Sequence, residues 1–373
     1  MGDQPKLYIG LMSGTSADAI DALVASIDNQ TVKIIGQHTL PYPHSIRRDI
    51  LDLSTPGENE IERMGALDQK LGRLFAQACN ELIETLSIDA SEIHAIGSHG
   101  QTIRHHPPSF SQHPFSLQIG DANIIAQETG ITTVTDFRRR DIAAGGEGAP
   151  LVPAFHNAVF LDKLKQRVIV NIGGMANISI LNPDKECTGF DTGPGNALMD
   201  EWIYLHNQQA YDDKGSWSQT GTSNTKLLSL LLDHPYFQSK PPKSTGRETF
   251  NIKWLKDSIN QIATPIKPED VQATLLELTA ISISDSISNY AQGCSEVYIC
   301  GGGAFNQALT QALHNKLAPI TVSTTESLGM HPQLVEAAAF SWLAHQTMHK
   351  KSANCPKVTG AKKSVILGCI YPA

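Results

Sequence analysis

Lys6-Leu7-Tyr8-Ile9-Gly10-Leu11-Met12 runs into Ser13-Gly14-Thr15-Ser16-Ala17-Asp18-Ala19-Ile20-Asp21, and an apolar course resumes from Ala22 to Ile27. This stretch decides the fold. Two short apolar runs on either side of small and polar residues predict a strand, a hairpin turn and a return strand. A third strand is expected over Val32–Gln37, after the turn Asp28-Asn29-Gln30. The arrangement recurs in the second half. Arg167–Ile172 reads as a β-branched strand, Gly173-Gly174-Met175-Ala176 as a tight turn and Asn177–Leu181 as the return strand, with a third near Glu186–Phe190. The recurrence is a structural repeat without sequence repetition.

Outward from the hairpins, helices alternate with strands. From Glu60 to Leu86 the apolar residues Ile61, Met64, Leu67, Leu71, Leu74, Ala78, Leu82 and Leu86 fall at steps of three and four, one stripe of a long amphipathic helix. Strands are expected at His94–Gly97, Ser116–Ile119 and Ile131–Thr135, and a helix at Ala122–Thr129. In the second half, helices are expected from Asn196 to Gln208, Pro268–Tyr290, Ala304–Leu317 and Gln333–His349, with strands at Val297–Cys300 and Ile320–Ser323. Tyr211–Leu255, rich in Ser, Thr, Pro and Lys, reads as an irregular surface excursion. The class is α/β, and 373 residues predict about two domains at ~100–200 residues each.

Composition excludes several function classes. With 40% hydrophobic and 18% charged residues, the chain has ample apolar content for a packed core. Net charge is -8, and the one dense basic run, Arg138-Arg139-Arg140, is flanked by Asp136 and Asp141, which argues against a nucleic-acid partner. No apolar run approaches the ~18 residues of a membrane helix, and the N-terminus lacks signal-peptide and myristoylation patterns, Lys6 standing where the latter needs Ser or Thr. The six cysteines form no C-x-x-C pair. A soluble, reduced, cytoplasmic protein is the expectation.

A turn of Gly, Ser and Thr can aim several backbone N–H groups at one anion, so Ser13, Gly14, Thr15 and Ser16 are candidates for a phosphate. Asp18 and Asp21 would then hold Mg²⁺ or orient a donor. An ordinary hairpin turn stabilised by Asx and Ser/Thr bonds explains the segment equally, and the segment taken alone favours that explanation. No Walker loop and no G-x-G-x-x-G is present. Asp191 stands at the expected carboxyl end of a strand, before Thr192-Gly193-Pro194-Gly195 and a helix that Asn196 is able to cap, where α/β proteins place chemistry. Gly301-Gly302-Gly303 permit close approach of a base or ribose, or else tight strand–helix packing. His99, His105 and His106 match no metal-ligand spacing. Ile96 breaks a serine-hydrolase elbow at Ser98, and Cys300 reads as core.

Gly10-Leu11-Met12-Ser13-Gly14-Thr15-Ser16 with Asp18 and Asp21 resembles the opening signature of the anhydro-N-acetylmuramic acid kinases. Further blocks resemble that family in order: Gly97–His105, Asp136–Asp141, Gly148–Pro153, Gly189–Asn196, Lys243–Glu248, Cys300–Asn306 and Glu336 before Ala337-Ala338-Ala339-Phe340. The resemblance spans nearly the whole chain. It implies the two-lobed sugar kinase/actin-like ATPase (ribonuclease H-like) fold, with a nucleotide cleft between the lobes. The first lobe is expected over residues 1–135 and the second over 136–373, with the extreme C-terminus a candidate to return to the first.

The resemblance further implies a reaction using ATP and water to convert 1,6-anhydro-N-acetylmuramic acid into N-acetylmuramic acid 6-phosphate, in peptidoglycan recycling in a bacterial cytoplasm. Asp191 matches the catalytic base. ATP would be held by Ser13, Gly14, Thr15, Ser16, Gly173 and Gly174, and its adenosine by Gly301, Gly302, Gly303 and Asn306, with Mg²⁺ reached from Asp18 and Asp21 through water. His99, Gln101, Thr102, Arg138 and Glu336 are substrate-side candidates, Arg138 facing the lactyl carboxylate. A homodimer is what the family suggests. The chain departs from the family at Ala19, where glycine is usual; if φ is positive there, alanine costs ~1–2 kcal/mol, and otherwise its methyl group narrows the loop. Two alternatives stay open: a kinase of an ordinary free-hydroxyl sugar, and a non-catalytic nucleotide switch that has no use for Asp191.

Overall fold

The computed structural model describes residues 4–14, 16–29 and 31–373, so Thr15 lies outside the described residues. The chain forms two compact units: Met1–Val159 together with Leu334–Ala373, and Phe160–Gln333. The division therefore does not fall at Thr135/Asp136, where the sequence suggested it. The helices Arg139–Ala143 and Val152–Phe160 extend the first stretch, and the C-terminal return begins at Leu334, well before the extreme terminus.

The first unit carries β1 (Lys6–Met12), β2 (Ala19–Ile27), β3 (Val32–Pro41), β4 (Ile93–Ser98), the ribbon β5 (Gln101–His106) and β6 (Phe115–Ile119), and β7 (Thr133–Thr135). The second carries β8 (Arg167–Ile172), β9 (Met175–Leu181), β10 (Thr188–Pro194), β11 (Glu296–Cys300) and β12 (Thr321–Thr324); β13 (Cys369–Tyr371) closes the chain. The sheets run β13-β7-β4-β1-β2-β3 and β10-β9-β8-β11-β12. In each, three consecutive antiparallel strands form a meander whose first member pairs in parallel with a later strand. The repeat read from the two hairpins is thus a repeat of sheet topology. Strand β5 is one of the elements the sequence reading missed, with the helices His44–Leu53 and Val152–Phe160 and the strand β13; the His and Arg residues of β5 dilute the β signal, and its pairing with β6 supplies what propensity does not.

Packing explains the return of the C-terminal segment. The helix Val335–Met348 buries Ala337, Ala338, Ala339, Phe340, Ser341, Leu343 and Ala344, residues too small and too apolar for a solvent-facing stripe. It lies against β1 and β4 at Gly10 and Gly97, where an added Cβ would stand 1.9 Å from the Ala337 carbonyl oxygen and 2.0 Å from that of Phe340. Only glycine admits the helix backbone this closely. Behind the sheet, Leu67, Leu71, Phe75, Cys79 and Leu82 of the helix Glu60–Leu86 meet Ile9, Leu11, Val24 and Ile96 in one core.

The second unit is built around Pro268–Tyr290, buried nearly all round, against Val168, Val170, Ile178, Phe190 and Ile299. Tyr211–Leu255 is not a surface excursion. It holds the helices Thr225–Leu232 and Ile252–Ile259 and contributes Leu227, Leu231, Phe250 and Leu255 to this core. Its apolar residues come in pairs on short helices, and Ser, Thr, Pro and Lys in the connections mask that pattern.

Candidate active site

In the first unit, the β1–β2 turn is tied down from behind. The Ser13 hydroxyl is buried and donates to Gln101 Oε1 at 2.6 Å, the Tyr42 hydroxyl donates to Ser13 Oγ at 3.1 Å, and Gln101 Nε2 donates to the Gly14 carbonyl at 3.3 Å. Ser13 and Gln101, expected to bind phosphate and sugar respectively, are thus bound to each other and set the turn's shape. Gly14 is different: a Cβ there would meet nothing nearer than Ser16 Oγ at 3.9 Å, and Ser16 is exposed. The open side of the turn is Gly14 and Ser16.

The left-handed residue in this turn is Ala17, with φ 51°, fully buried; Ala19 opens β2 opposite Pro41. The strain considered for Ala19 therefore does not arise, and only the room its methyl group takes remains. Asp18 accepts from Arg47 Nε at 3.0 Å, and Asp21 accepts from Thr39 Oγ1 at 2.8 Å, its carboxyl raised above the usual range chiefly by burial. Both carboxylates expected at the metal are engaged by side chains. Among the described residues no group of three or more His, Cys, Asp or Glu could hold a metal ion. This donor set fits Mg²⁺ only as an ion carried by phosphates and water.

His99, at the turn after β4, is buried against Phe340 and accepts at Nε2 from Arg138 Nη2 at 2.9 Å. Burial first and the Arg138 charge second push the imidazole down to about 3, so it is neutral, with its proton on Nδ1. Arg138 also donates through Nη1 to the Gly148 carbonyl at 2.9 Å, which fixes the plane of its guanidinium. Thr102 accepts from Gln118 Nε2 across the β5–β6 ribbon at 3.0 Å, which gives it a structural role. Glu336 is half-buried in the first turn of the helix Val335–Met348.

In the second unit, the β8–β9 turn faces the start of the helix Ala197–Asn207. The backbone N–H groups of Gly195 and Ala197 donate to the Gly174 carbonyl at 2.9 and 3.1 Å, and that of Asn196 to the Gly173 carbonyl at 2.8 Å. Asn196 does not cap this helix with its side chain; its amide donates to the Ile172 carbonyl at 3.3 Å. A Cβ on Gly173 would touch only the Met175 carbonyl oxygen, at 3.7 Å. The three consecutive glycines divide by role. Gly301, with φ 79°, and Gly303 would clash with Asn171 and Ile172 at 2.4 and 2.3 Å, whereas Gly302 would meet only Asn196 Nδ2, at 3.6 Å. Two glycines serve strand packing and one leaves open backbone. Asn306 caps the helix Gln307–Leu317, accepting from the Leu309 N–H at 3.1 Å.

Asp191 lies within β10 rather than at its end, because β10 continues to Pro194 through a register shift between Asp191 and Gly193. Such a bulge re-aims the side chains beside it. Residues 243–245 grip Asp191. Its N–H donates to the Lys243 carbonyl at 3.2 Å, and its Oδ2 accepts from Ser244 Oγ at 2.8 Å and from the Thr245 N–H at 3.0 Å. The Tyr236 hydroxyl donates to the Asp191 carbonyl at 2.6 Å. Lys243 Nζ sits 4.5 Å from the Tyr236 ring centroid, its pKa lowered by burial against the raising pull of Asp191. Sequence reading missed these supporting residues, since more than forty positions separate each from Asp191 and only the Lys243–Glu248 block hinted at them. Two donors on one carboxylate oxygen favour its ionised form and aim it, as a proton acceptor requires.

A family model described as anhydro-N-acetylmuramic acid kinase matches residues 6–373. The protein of that name from Coxiella burnetii (strain RSA 493 / Nine Mile phase I) is 50% identical over 366 residues, covering 98% of this chain and 97% of that protein. Its namesake from Saccharophagus degradans is 50% identical over 369 residues, covering 99% of each. Among solved structures, (R)-2-hydroxyglutaryl-CoA dehydratase component A of Acidaminococcus fermentans is similar with a TM-score of 0.49 at 11% identity, over 92% of this chain and 100% of that one.

Proposed function

The chain belongs to the anhydro-N-acetylmuramic acid kinase family, and on that premise we propose that it opens 1,6-anhydro-N-acetylmuramic acid with water while transferring the γ-phosphoryl group of ATP to O6. The products are N-acetylmuramic acid 6-phosphate and ADP, and the setting is cell-wall recycling in a bacterial cytoplasm. Identity of 50% along essentially the full length carries the assignment. The grip on Asp191 Oδ2 by Ser244 and Thr245 supports the base.

In the anhydro sugar O6 is tied to C1, so no free hydroxyl exists to attack phosphorus. Water attacks C1, one of its protons passes to Asp191, and the C1–O6 electron pair returns to O6, which takes up the phosphoryl group. One carboxylate suffices, because phosphorylation traps the leaving oxygen in place of the acid a glycosidase needs. Phosphoryl transfer asks mainly for positioning and charge neutralisation. The open backbone at Gly14, Gly173 and Gly302 supports close approach of the nucleotide, and Mg²⁺ supplies charge neutralisation on the phosphates when bound. The neutral His99, held by Arg138, is read as a sugar contact that stays uncharged throughout the working pH range. No helix of the described residues is long and apolar enough to cross a membrane, and the homodimer is taken from the family resemblance alone.

Incubation with ATP, Mg²⁺ and the anhydro sugar in heavy-oxygen water, followed by mass spectrometry, tests the reading. The label should enter the anomeric hydroxyl at the first turnover, and Asp191→Asn should abolish it. A phosphorylated product without label would mean an ordinary sugar kinase, and no sugar product a nucleotide switch.

A further inference from the structure

The second unit's sheet carries a polar row at the level of Asp191. Cys300 of β11 stands beside Asn171 of β8, Asn171 opposite Asn177 of β9, and Asn177 opposite Asp191 of β10. Asn171 is engaged, its Oδ1 lying 3.8 Å from Cys300 Sγ. Asn177 is not: its Oδ1 is buried and has no hydrogen-bond partner among the described residues. Strand geometry brings it close to Asp191. The Asp191 N–H and C=O both point away from β9, to Lys243 and Tyr236, so Asp191 and Asn177 form a non-hydrogen-bonded antiparallel pair. Side chains in such pairs stand closer than in hydrogen-bonded ones, with Cα atoms about 4.5 Å apart. An unpaired amide oxygen in a buried position beside a base is an acceptor waiting for a donor.

We propose that Asn177 Oδ1 accepts the hydrogen bond from the second O–H of the water that Asp191 deprotonates. This rests on the ring-opening reading above. A water attacking C1 loses one proton to Asp191 and keeps the other, which ends on the anomeric hydroxyl. Two acceptors, one for each hydrogen, leave the oxygen lone pair facing C1; Asp191 alone would leave the water free to rotate about one hydrogen bond. Asn177 is therefore a catalytic residue by contact with the attacking water, and its requirement is for an acceptor, not a donor.

The test measures label incorporation, kcat and KM across pH for the native enzyme, Asn177→Val and Asn177→Asp. Valine keeps strand propensity and removes the acceptor. It should lower kcat on the order of tenfold or more at every pH, with ATP KM and unfolding temperature near native. Aspartate restores an acceptor, but places a second carboxylate against Asp191, with Lys243 nearby. Its activity should therefore be lost on the acid side at a higher pH than native and recover toward the native level in alkali. Native kcat in Asn177→Val, a change confined to the sugar KM, or an Asn177→Asp enzyme as impaired as the valine variant at all pH would overturn the proposal. Failure of the native enzyme to incorporate label would instead refute the ring-opening reading, and this inference with it.

Discussion

Replacing Ser244 by alanine removes one of the two donors to Asp191 Oδ2 while leaving the Thr245 N–H at 3.0 Å in place. A hydrogen bond to a charged group contributes about 1.5–3 kcal/mol, and it favours the ionised form of its acceptor. Ser244 is half-buried, so water partly replaces the lost hydroxyl and the lower end applies. That corresponds to roughly one pH unit. The sign follows directly. Weakening the ionised form makes Asp191 take up its proton at a higher pH, and a protonated base cannot accept another, so the acid limb of kcat against pH moves up by about one unit. On the neutral plateau, where Asp191 is ionised in both enzymes, kcat should change less than about threefold. Continuous measurement of ADP release over the acid and neutral range reads both quantities, and Ser244→Thr, which keeps the hydroxyl, should restore the native limb. An unmoved limb with a plateau lowered tenfold or more would refute the reasoning and move Ser244 from the base to the sugar.

Gly301→Ala should cost about 2–4 kcal/mol of stability through its positive φ and its clash with Asn171, whereas Gly302→Ala should leave stability within about 0.5 kcal/mol and raise the ATP KM; urea unfolding and steady-state kinetics separate the two. Asp141 is fully buried and accepts from the Gly148 N–H, Asn354 Nδ2 and Thr359 Oγ1, so Asp141→Asn, which turns donors toward donors, should lose about 2–4 kcal/mol in the same assay. His99, His105 and His156 are all pushed down to about 3, His156 by burial alone. Between that value and the ordinary imidazole pKa these three groups bind up to three more protons in the unfolded chain than in the folded one. Stability should therefore rise with pH, by up to ~4.1 kcal/mol per unit near pH 5, and be lost as pH falls through that range; His156→Gln should remove about a third of that slope in pH-dependent melting.

Much of the fold was legible because both hairpins announce themselves by apolar runs broken at small residues, and because Glu60–Leu86 keeps its period for its whole length. The site was legible where chemistry is local. Asp191 before Thr192-Gly193-Pro194-Gly195 and the glycines of each turn stand out in a single pass along the chain. What decides their roles is not local. Whether Ser13 offers its hydroxyl to a ligand depends on Gln101, 88 positions away. Gly301 and Gly303 look like Gly302 until Ile172 and Asn171 are set beside them. Asn177 reads as one more residue of a return strand, and only the register of β9 with β10 puts it opposite Asp191. Ser244 and Thr245 sit among prolines and lysines whose composition points to solvent, while Phe250 and Leu255 nearby anchor them to the core.

The bare glycine face of β1 and β4 also has a bearing on how the chain is made. The ribosome delivers both strands early, yet the helix that covers Gly10 and Gly97 begins at Val335. The contiguous segment Phe160–Gln333 emerges whole in the interval and is free to fold first. The N-terminal sheet meanwhile waits with an apolar surface uncovered, a nascent intermediate open to chaperone capture or aggregation. Whatever lengthens that wait, such as slow codons in the intervening segment, should tell first on the yield of folded enzyme, with each finished molecule as active as before.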